Sequence, residues 1–307
     1  MPQTIQALTA LILGVPNPVS MGIARGFMMA GHNVAAIWYP ERLRNSLDFA
    51  QDRELARRAP GLTLHGLEER ARVPVRAVKR LRDWPDASVA AKRLRADVVI
   101  SLLYPDLITT PLLAAFPQRV VNVHPSLLPA YRGPNPIFNM LWDGAINAHG
   151  GLTLHLVSPE FDRGNILAQQ AVAFPQDRNL SLYYMELVKA GSALLATELP
   201  RRVKGEWLGE PQPDDTSAPQ ANLKPKDALL SGALTRAHAE WLCATIPQMT
   251  PLRIEGLART IIVRGLASSE PQRKERPPAL ADGLVSFDVI DGHVTVRVTD
   301  AGPAQKR

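Results

Sequence analysis

Apolar residues along the chain gather in short runs bounded by turn-forming residues. Residues 7–14 (ALTALILG) form the first run, which breaks into Gly14-Val15-Pro16-Asn17-Pro18 and leads to a small, apolar stretch at 21–30 ending at Gly31. This order predicts strand, turn and helix. Residues 33–38 predict a second strand, 97–103 (DVVISLL) a third, 120–123 a fourth between Pro117 and Pro125, and 152–157 (LTLHLV) another. Between the second and third strands, helical patches are interrupted at Pro60-Gly61, Pro74 and Pro85. Strands alternating with helical segments imply an α/β fold, a Rossmann-like, mostly parallel sheet flanked by helices.

Residues 180–199 carry apolar positions at helical spacing as far as Pro200 and predict a long helix packed on the sheet. The pattern then fades into Pro-rich polar text with nothing to bury, which predicts a linker over 206–228. Beyond it, 237–246 predicts a short helix, and 252–254, 260–263, 283–289 and 293–298 predict strands. The expected organisation is a catalytic domain at 1–205, the linker at 206–228, and a small β-rich domain, an OB-like barrel, at 229–307. Residues 271–278 (PQRKERPP) predict a mobile loop and 303–307 a frayed tail. No internal repeat is apparent.

Composition narrows the class. An apolar share of 46% and a charged share of 21% over 307 residues describe a packed protein and exclude extensive disorder. The single cysteine, Cys243, excludes an internal disulfide framework and has no metal-ligand pattern beside it, so a reducing, cytoplasmic setting without a metal site is expected. The first 16 residues carry no basic leader, and their apolar run is too short to span a bilayer, so no membrane partner is expected. The net charge of +6 is uneven: residues 53–95 hold 12 Lys and Arg against 5 acids, whereas 206–307 hold 12 against 13. The basic segment is either a pair of solvated helix faces or an anion-binding surface for an RNA backbone or a phosphorylated substrate.

The chemistry concentrates between 120 and 164. Asn122 and His124 lie two apart at the end of a strand and project to one side, where the chain turns at Pro125. Asp162 follows the 152–157 strand in a loop closed by Gly164. Ligands of open α/β sheets gather outside the carboxyl ends of strands, so all three are expected to converge there. A carboxamide, an imidazole and a carboxylate suit acyl transfer to an amine: Asn122 donates to the developing oxyanion, His124 takes a proton or donates to the oxyanion, and Asp162 orients the imidazole. No Ser or Cys nucleophile is required, because the amine attacks. An isolated Asn-x-His at a strand end could equally be a satisfied polar cluster.

The flanking text decides between these. Asn-Val-His-Pro-Ser-Leu-Leu-Pro, then Tyr-Arg-Gly, then Phe-Asp-Arg-Gly resembles the formyltransferase family that uses 10-formyltetrahydrofolate. The resemblance is best over 96–175 and implies Asn122, His124 and Asp162 as the catalytic trio. It also implies that Ser126, Leu127, Leu128 and Pro129 touch the folate, and that Leu102, Leu103, Tyr104, Pro105 and Asp106 line the pterin pocket. On the acceptor side it implies Tyr131, Arg132 and Gly133, with Gly14 in a GVPNP turn that resembles the G-x-P turn of the tRNA enzymes.

The acceptor stays open. Length, the linker and the small second domain resemble methionyl-tRNA formyltransferases. The Gly- and Arg-rich loop usual in those enzymes after the second strand is replaced here by Tyr39-Pro-Glu-Arg-Leu-Arg-Asn-Ser. His155 resembles members that act on small amines, where it would orient acceptor or folate; alternatively it is a strand histidine satisfied by a backbone carbonyl. His149 is expected at the surface. The implied partners are a folate co-substrate and either Met-tRNA or a small amine, such as a nucleotide-linked amino sugar or a hydroxylamino acid. Hydrolysis of the formyl-folate, with water as acceptor, calls for a similar trio.

Overall fold

The computed structural model describes residues 7–203, 209–213, 219–254, 259–275 and 277–303. Contacts divide the chain into two compact units: Met1–Pro134, His149–Ala173 and Ser181–Pro219 in the first, and Asn135–Ala148, Phe174–Leu180 and Gln220–Arg307 in the second. The division is interleaved, in contrast to the consecutive segments 1–205 and 229–307 drawn from composition.

The first unit is built on seven strands: β1 (Thr9–Gly14), β2 (Asn33–Pro40), β3 (Val75–Val78), β4 (Val98–Leu102), β5 (Val120–His124), β6 (Gly151–Leu156) and β7 (Ile166–Ala171). Their order is β3-β2-β1-β4-β5-β6-β7. The first five run parallel, as expected; β6 pairs antiparallel with β5, and β7 antiparallel with β6. The expected strand and helix segments are present within a few residues. Two strands of this sheet went unpredicted, and both are its edges: β3 has four residues inside basic text after Pro74, and β7 exposes Gln169, Gln170 and Ala171. Each buries fully only one residue, Val78 in β3 and Leu167 in β7, so their apolar signal is weak.

The helices of this unit are α1 (Pro18–Met29), α2 (Leu47–Ala56), α3 (Leu64–Ala71), α4 (Ala87–Arg93) and α5 (Thr110–Ala115). Asn17 caps α1 by accepting from the Val19 N–H, with Pro18 at the first turn, where its missing donor costs nothing. β4 is buried at every position, which explains its unbroken apolar run. On one sheet face Leu11, Leu13, Trp38, Val99 and Val120 pack with Ala87, Ala91, Leu112 and Phe116. Two residues beyond Val99 and Val120, on the same face, stand Ser101 and Asn122. The apolar row thus turns polar where the candidate chemistry lies.

In the second unit are α6 (Pro136–Trp142), most of α7 (Ile146–His149) and α9 (Arg236–Thr245); α8 (Leu180–Val203) enters the first unit at Ser181. The α8 helix does not stop before Pro200 but continues to Val203, since a proline in a final turn removes one ladder bond without ending the helix. α9 joins α6 through the Trp241 indole N–H and His238 Nε2, which donate to the carbonyls of Leu141 and Trp142.

The β-rich part comprises a two-stranded parallel pair, β8 (Leu229–Leu230) with β9 (Arg253–Ile254), and an antiparallel sheet of order β10-β13-β12-β11. Its strands are β10 (Arg259–Glu270), β11 (Ala279–Ala281), β12 (Leu284–Val289) and β13 (Gly292–Pro303). Val285, Phe287 and Val289, with Val294, Val296 and Val298, alternate inward. Among the described residues this is an open four-stranded sheet with β10 and β11 at its edges, where an OB-like barrel would close. The 271–275 stretch is tied to the sheet, because the Lys274 and Glu275 N–H groups donate to Asp288. Of the expected tail, residues 304–307 lie outside the described residues, as do 206–208 and 214–218 of the expected linker.

Candidate active site

The strand directions revise the sequence argument for convergence. Because β6 is antiparallel to β5, its carboxyl end lies beside the start of β5, with Val121 opposite Leu156 and His124 opposite Thr153. Asp162 therefore does not sit at a carboxyl end shared with Asn122 and His124. It reaches them because the loop after β6 folds back over the sheet face. Asp162 takes a left-handed φ of 54°, and Gly164 passes so close to the Leu156 carbonyl that a Cβ there would lie 1.8 Å from its oxygen. Only glycine fits that approach.

Register supplies the other wall. Ser101, Asn122 and His155 are direct neighbours across β4, β5 and β6. They floor a cleft also lined by Tyr104, Asp106, Leu107, Ile108, Val157, Phe161 and Asp162. Asn122 Nδ2 donates to His155 Nε2 at 3.0 Å and makes a longer contact of 3.4 Å with Asp162 Oδ1. His155 Nδ1 donates to the Leu156 carbonyl at 2.8 Å, which places its proton on Nδ1 and leaves Nε2 to accept from Asn122. His155 is thus satisfied by a backbone carbonyl, one of its two expected readings, and it also touches Asn122.

His124 lies behind this row, 4% exposed, and is absent from the cleft lining. Its Nε2 donates to the Tyr131 carbonyl at 2.9 Å, so a neutral ring presents the Nδ1 lone pair toward Asp162 Oδ2, 3.5 Å away. Burial lowers its basicity, and His155 adds to that; Asp162 and the Tyr131 carbonyl act in the opposite direction. Burial also opposes the charge on Asp162, but His124, His155 and the Gly133 N–H outweigh it and hold the carboxyl at about 2. The Gly133 N–H donates to Asp162 Oδ2 at 3.0 Å from a backbone with φ 102°, a conformation that favours glycine.

The remaining expected residues divide. Of 102–106, Tyr104 and Asp106 line the cleft, whereas Leu102, Leu103 and Pro105 do not. The Tyr104 hydroxyl is buried without a partner, and Arg42 Nη1 fixes Asp106 at 2.6 Å. Ser126, Leu127, Leu128 and Pro129 form a turn outside this lining: the Ser126 hydroxyl donates to the Ala130 carbonyl, and the Leu128 N–H donates to Thr153 Oγ1. Gly14 ends β1 below Ser20, also outside the lining. Tyr131 is buried and packs against His149, which is half-buried rather than superficial.

Arg132 leads to a residue that sequence reading passed over. Its Nε and Nη2 donate to Gln212 Oε1 at 3.0 and 2.7 Å, while Gln212 Nε2 donates to the carbonyls of Asp162 and Gly164 at 2.7 and 2.8 Å. Glu210, two residues earlier, exchanges backbone hydrogen bonds with Ile166. Part of the segment read as a spacer with nothing to bury thus holds the loop that carries Asp162. Neither Gln212 nor Ser101 stood out, because one sits in Pro-rich text and the other depends on strand register.

Comparison with known proteins agrees with this architecture. Residues 58–199 match the family described as formyl transferase. The chain is 33% identical over 245 residues to the methionyl-tRNA formyltransferase of Roseiflexus sp. (strain RS-1), covering 76% of this chain and 72% of that protein. It is 31% identical over 254 residues to the methionyl-tRNA formyltransferase of Chloroflexus aurantiacus, covering 80% and 78%. In fold it is similar to WlaRD, a sugar 3N-formyl transferase whose structure was solved in the presence of dTDP and 5-N-formyl-THF, with TM-score 0.64, 13% identity, and 97% and 100% of the two chains covered. Sequence likeness that extends over more than two thirds of both chains shows that this protein belongs to the formyltransferase family of enzymes, and within it is methionyl-tRNA formyltransferase-like.

Proposed function

We propose that the protein transfers a formyl group from 10-formyltetrahydrofolate to a primary amine, with Asn122, His124 and Asp162 as the catalytic trio. The observation that carries this reading is the Asp162 carboxylate, brought by a back-folded loop to Asn122, His124 and His155 at a cleft wall. Tyr104, Leu107, Ile108 and Val157 give the cleft apolar walls, and the unpartnered Tyr104 hydroxyl offers a hydrogen bond. Tyr104 and Asp106 would hold the folate, which supplies the formyl group.

Each residue has a task that follows from its contacts. The 3.4 Å contact from Asn122 to Asp162 is the weaker of its two, so that N–H is the one available to a developing oxyanion. With Nε2–H committed to the Tyr131 carbonyl, Nδ1 is the atom of His124 that takes up a proton, and Asp162 stabilises the imidazolium formed. Burial disfavours the charged ring while Asp162 favours it, so a proton gained at Nδ1 is held by the carboxylate against the cost of burial.

The names of the relatives support Met-tRNA as the acceptor. His155, joined to Asn122, and the sugar formyl transferase of similar fold support a second reading, a small amine such as a nucleotide-linked amino sugar. Release of tetrahydrofolate from 10-formyltetrahydrofolate tests both, with Met-tRNA, with an amino sugar nucleotide and with no amine. Formyl product from Met-tRNA alone would select the first reading. Release without an amine would replace transfer by hydrolysis.

A further inference from the structure

A second cavity, sharing no lining residue with the catalytic cleft, lies within the first unit and encloses about 390 Å³. Its lining is Tyr39, Val75 and Ala77 from β2 and β3, Arg44, Asn45, Phe49 and Arg53 on or before α2, and Leu64, His65 and Glu68 from α3. Tyr39 and Ala77 are register partners, each one residue from the carboxyl end of its strand. We propose that this cavity binds the phosphate group of a small phosphorylated molecule through Arg53 and Arg44.

Arg53 is held by a relay that starts at a buried carboxylate. Buried Asp52 accepts from the Leu64 and His65 N–H groups and from His65 Nδ1 at 2.8 Å. That contact puts the His65 proton on Nδ1, and the Nε2 lone pair then accepts from Arg53 Nε at 2.8 Å. The Arg53 guanidinium also lies 5.8 Å from the Phe49 ring centroid, and Phe49 is itself stacked on Tyr39 and set edge-on to His65. A buried carboxylate, an imidazole and an aromatic ring therefore fix one exposed arginine through its Nε alone. Among the described residues neither of its Nη atoms has a hydrogen-bonding or ionic partner, and the Arg44 side chain has none at all.

A guanidinium anchored by Nε with its terminal nitrogens open is a preorganised fork for phosphate oxygens, and preorganisation removes much of the entropy cost of binding. The contrast within the same basic segment is informative. Arg57 is paired with Glu54, and Arg76 lies over the Trp84 ring at 4.7 Å, so these charges are committed to the protein itself. The concave shape favours a terminal phosphate on a small molecule over an extended nucleic-acid backbone, which calls for a line of cations along an open surface. Glu68 is the one acid in the lining and opposes an anion there.

Calorimetric titration of the full chain with inorganic phosphate, pyrophosphate and ADP tests the proposal without reference to formyl transfer. Saturable binding of at least one of the three is expected, weakened about ten- to a hundredfold by Arg53→Ala. Arg44→Ala should weaken it less, Arg53→Lys should restore part of it, and Glu68→Gln should strengthen it. Asp162→Asn should leave it unchanged, so failure here and failure of the formyl-transfer reading are separate results. Preference for ADP over the inorganic ions would identify a nucleotide as the source of the phosphate, and the reverse would identify a free anion; either supports the site. No binding at millimolar ligand, binding indifferent to Arg53→Ala, or binding of RNA alone would overturn it.

Discussion

Two of the histidine–aspartate pairs among the described residues hold carboxyls of similar acidity by opposite construction. In the β-rich unit, Asp288 and His293 face each other across β12 and β13, with His293 Nδ1 2.7 Å from Asp288 Oδ1. The Lys274 N–H, His293 and the Glu275 N–H hold that carboxyl at about 2 against the effect of desolvation. Its partners come from the adjacent strand and turn, at ordinary hydrogen-bond lengths of 2.6–3.0 Å. In the first unit Asp162 is also held at about 2, but three of its four side-chain and backbone partners stand at 3.4–3.6 Å. The first pair is closed and fastens a turn. The second is slack, with room for its contacts to shorten, as the proposed role of Asp162 in catalysis would require.

That contrast can be broken by mutation. The largest effect is expected at the slack pair: His124→Ala and Asp162→Asn should each lower kcat/KM by about a hundred- to ten-thousandfold, with circular dichroism and thermal unfolding near those of the parent. Asn122→Ala should follow, with a loss of about a hundred- to a thousandfold in kcat, the usual cost of a lost oxyanion donor. Gln212→Ala should lower kcat by up to about a hundredfold through misplacement of Asp162, with Gln212→Glu failing to restore it because a carboxylate cannot donate to the Asp162 and Gly164 carbonyls. At the closed pair, Asp288→Ala should leave kcat/KM unchanged and cost about 1–3 kcal/mol of stability, because two backbone N–H groups lose their acceptor. Loss of activity in Asp288→Ala with an intact fold would erase the distinction.

The pH dependence sharpens it further. Because burial lowers the His124 basicity, kcat/KM should rise along an acid limb whose midpoint lies below the ordinary imidazole value of 6.5. In residual Asp162→Asn activity that limb should move lower still, since the carboxylate favours the protonated ring. Asp162 and Asp288 are both depressed from 3.8, so each contributes stability that is present above that value and lost as pH falls through about 2. Urea unfolding between these limits should show a smaller acid loss in either Asp→Asn variant than in the parent.

The sequence by itself determined the central strands and the class of chemistry, and it named Asn122, His124 and Asp162 as the candidate trio. Runs such as DVVISLL and the turn at Pro125 are local signals, set by burial of adjacent residues and by proline geometry. Tertiary structure decided the rest, because strand direction and register depend on partners far away in the chain. The reversal of β6 decided that Asp162 must arrive by a loop folded back at Gly164, and register set Ser101, Asn122 and His155 in one row. It also decided that Gln212, inside Pro-rich text, clasps that loop, and that Arg53 is lifted out of a run of similar charges by Asp52 and His65. Periodicity records which side of an element is buried; it does not record which neighbour buries it.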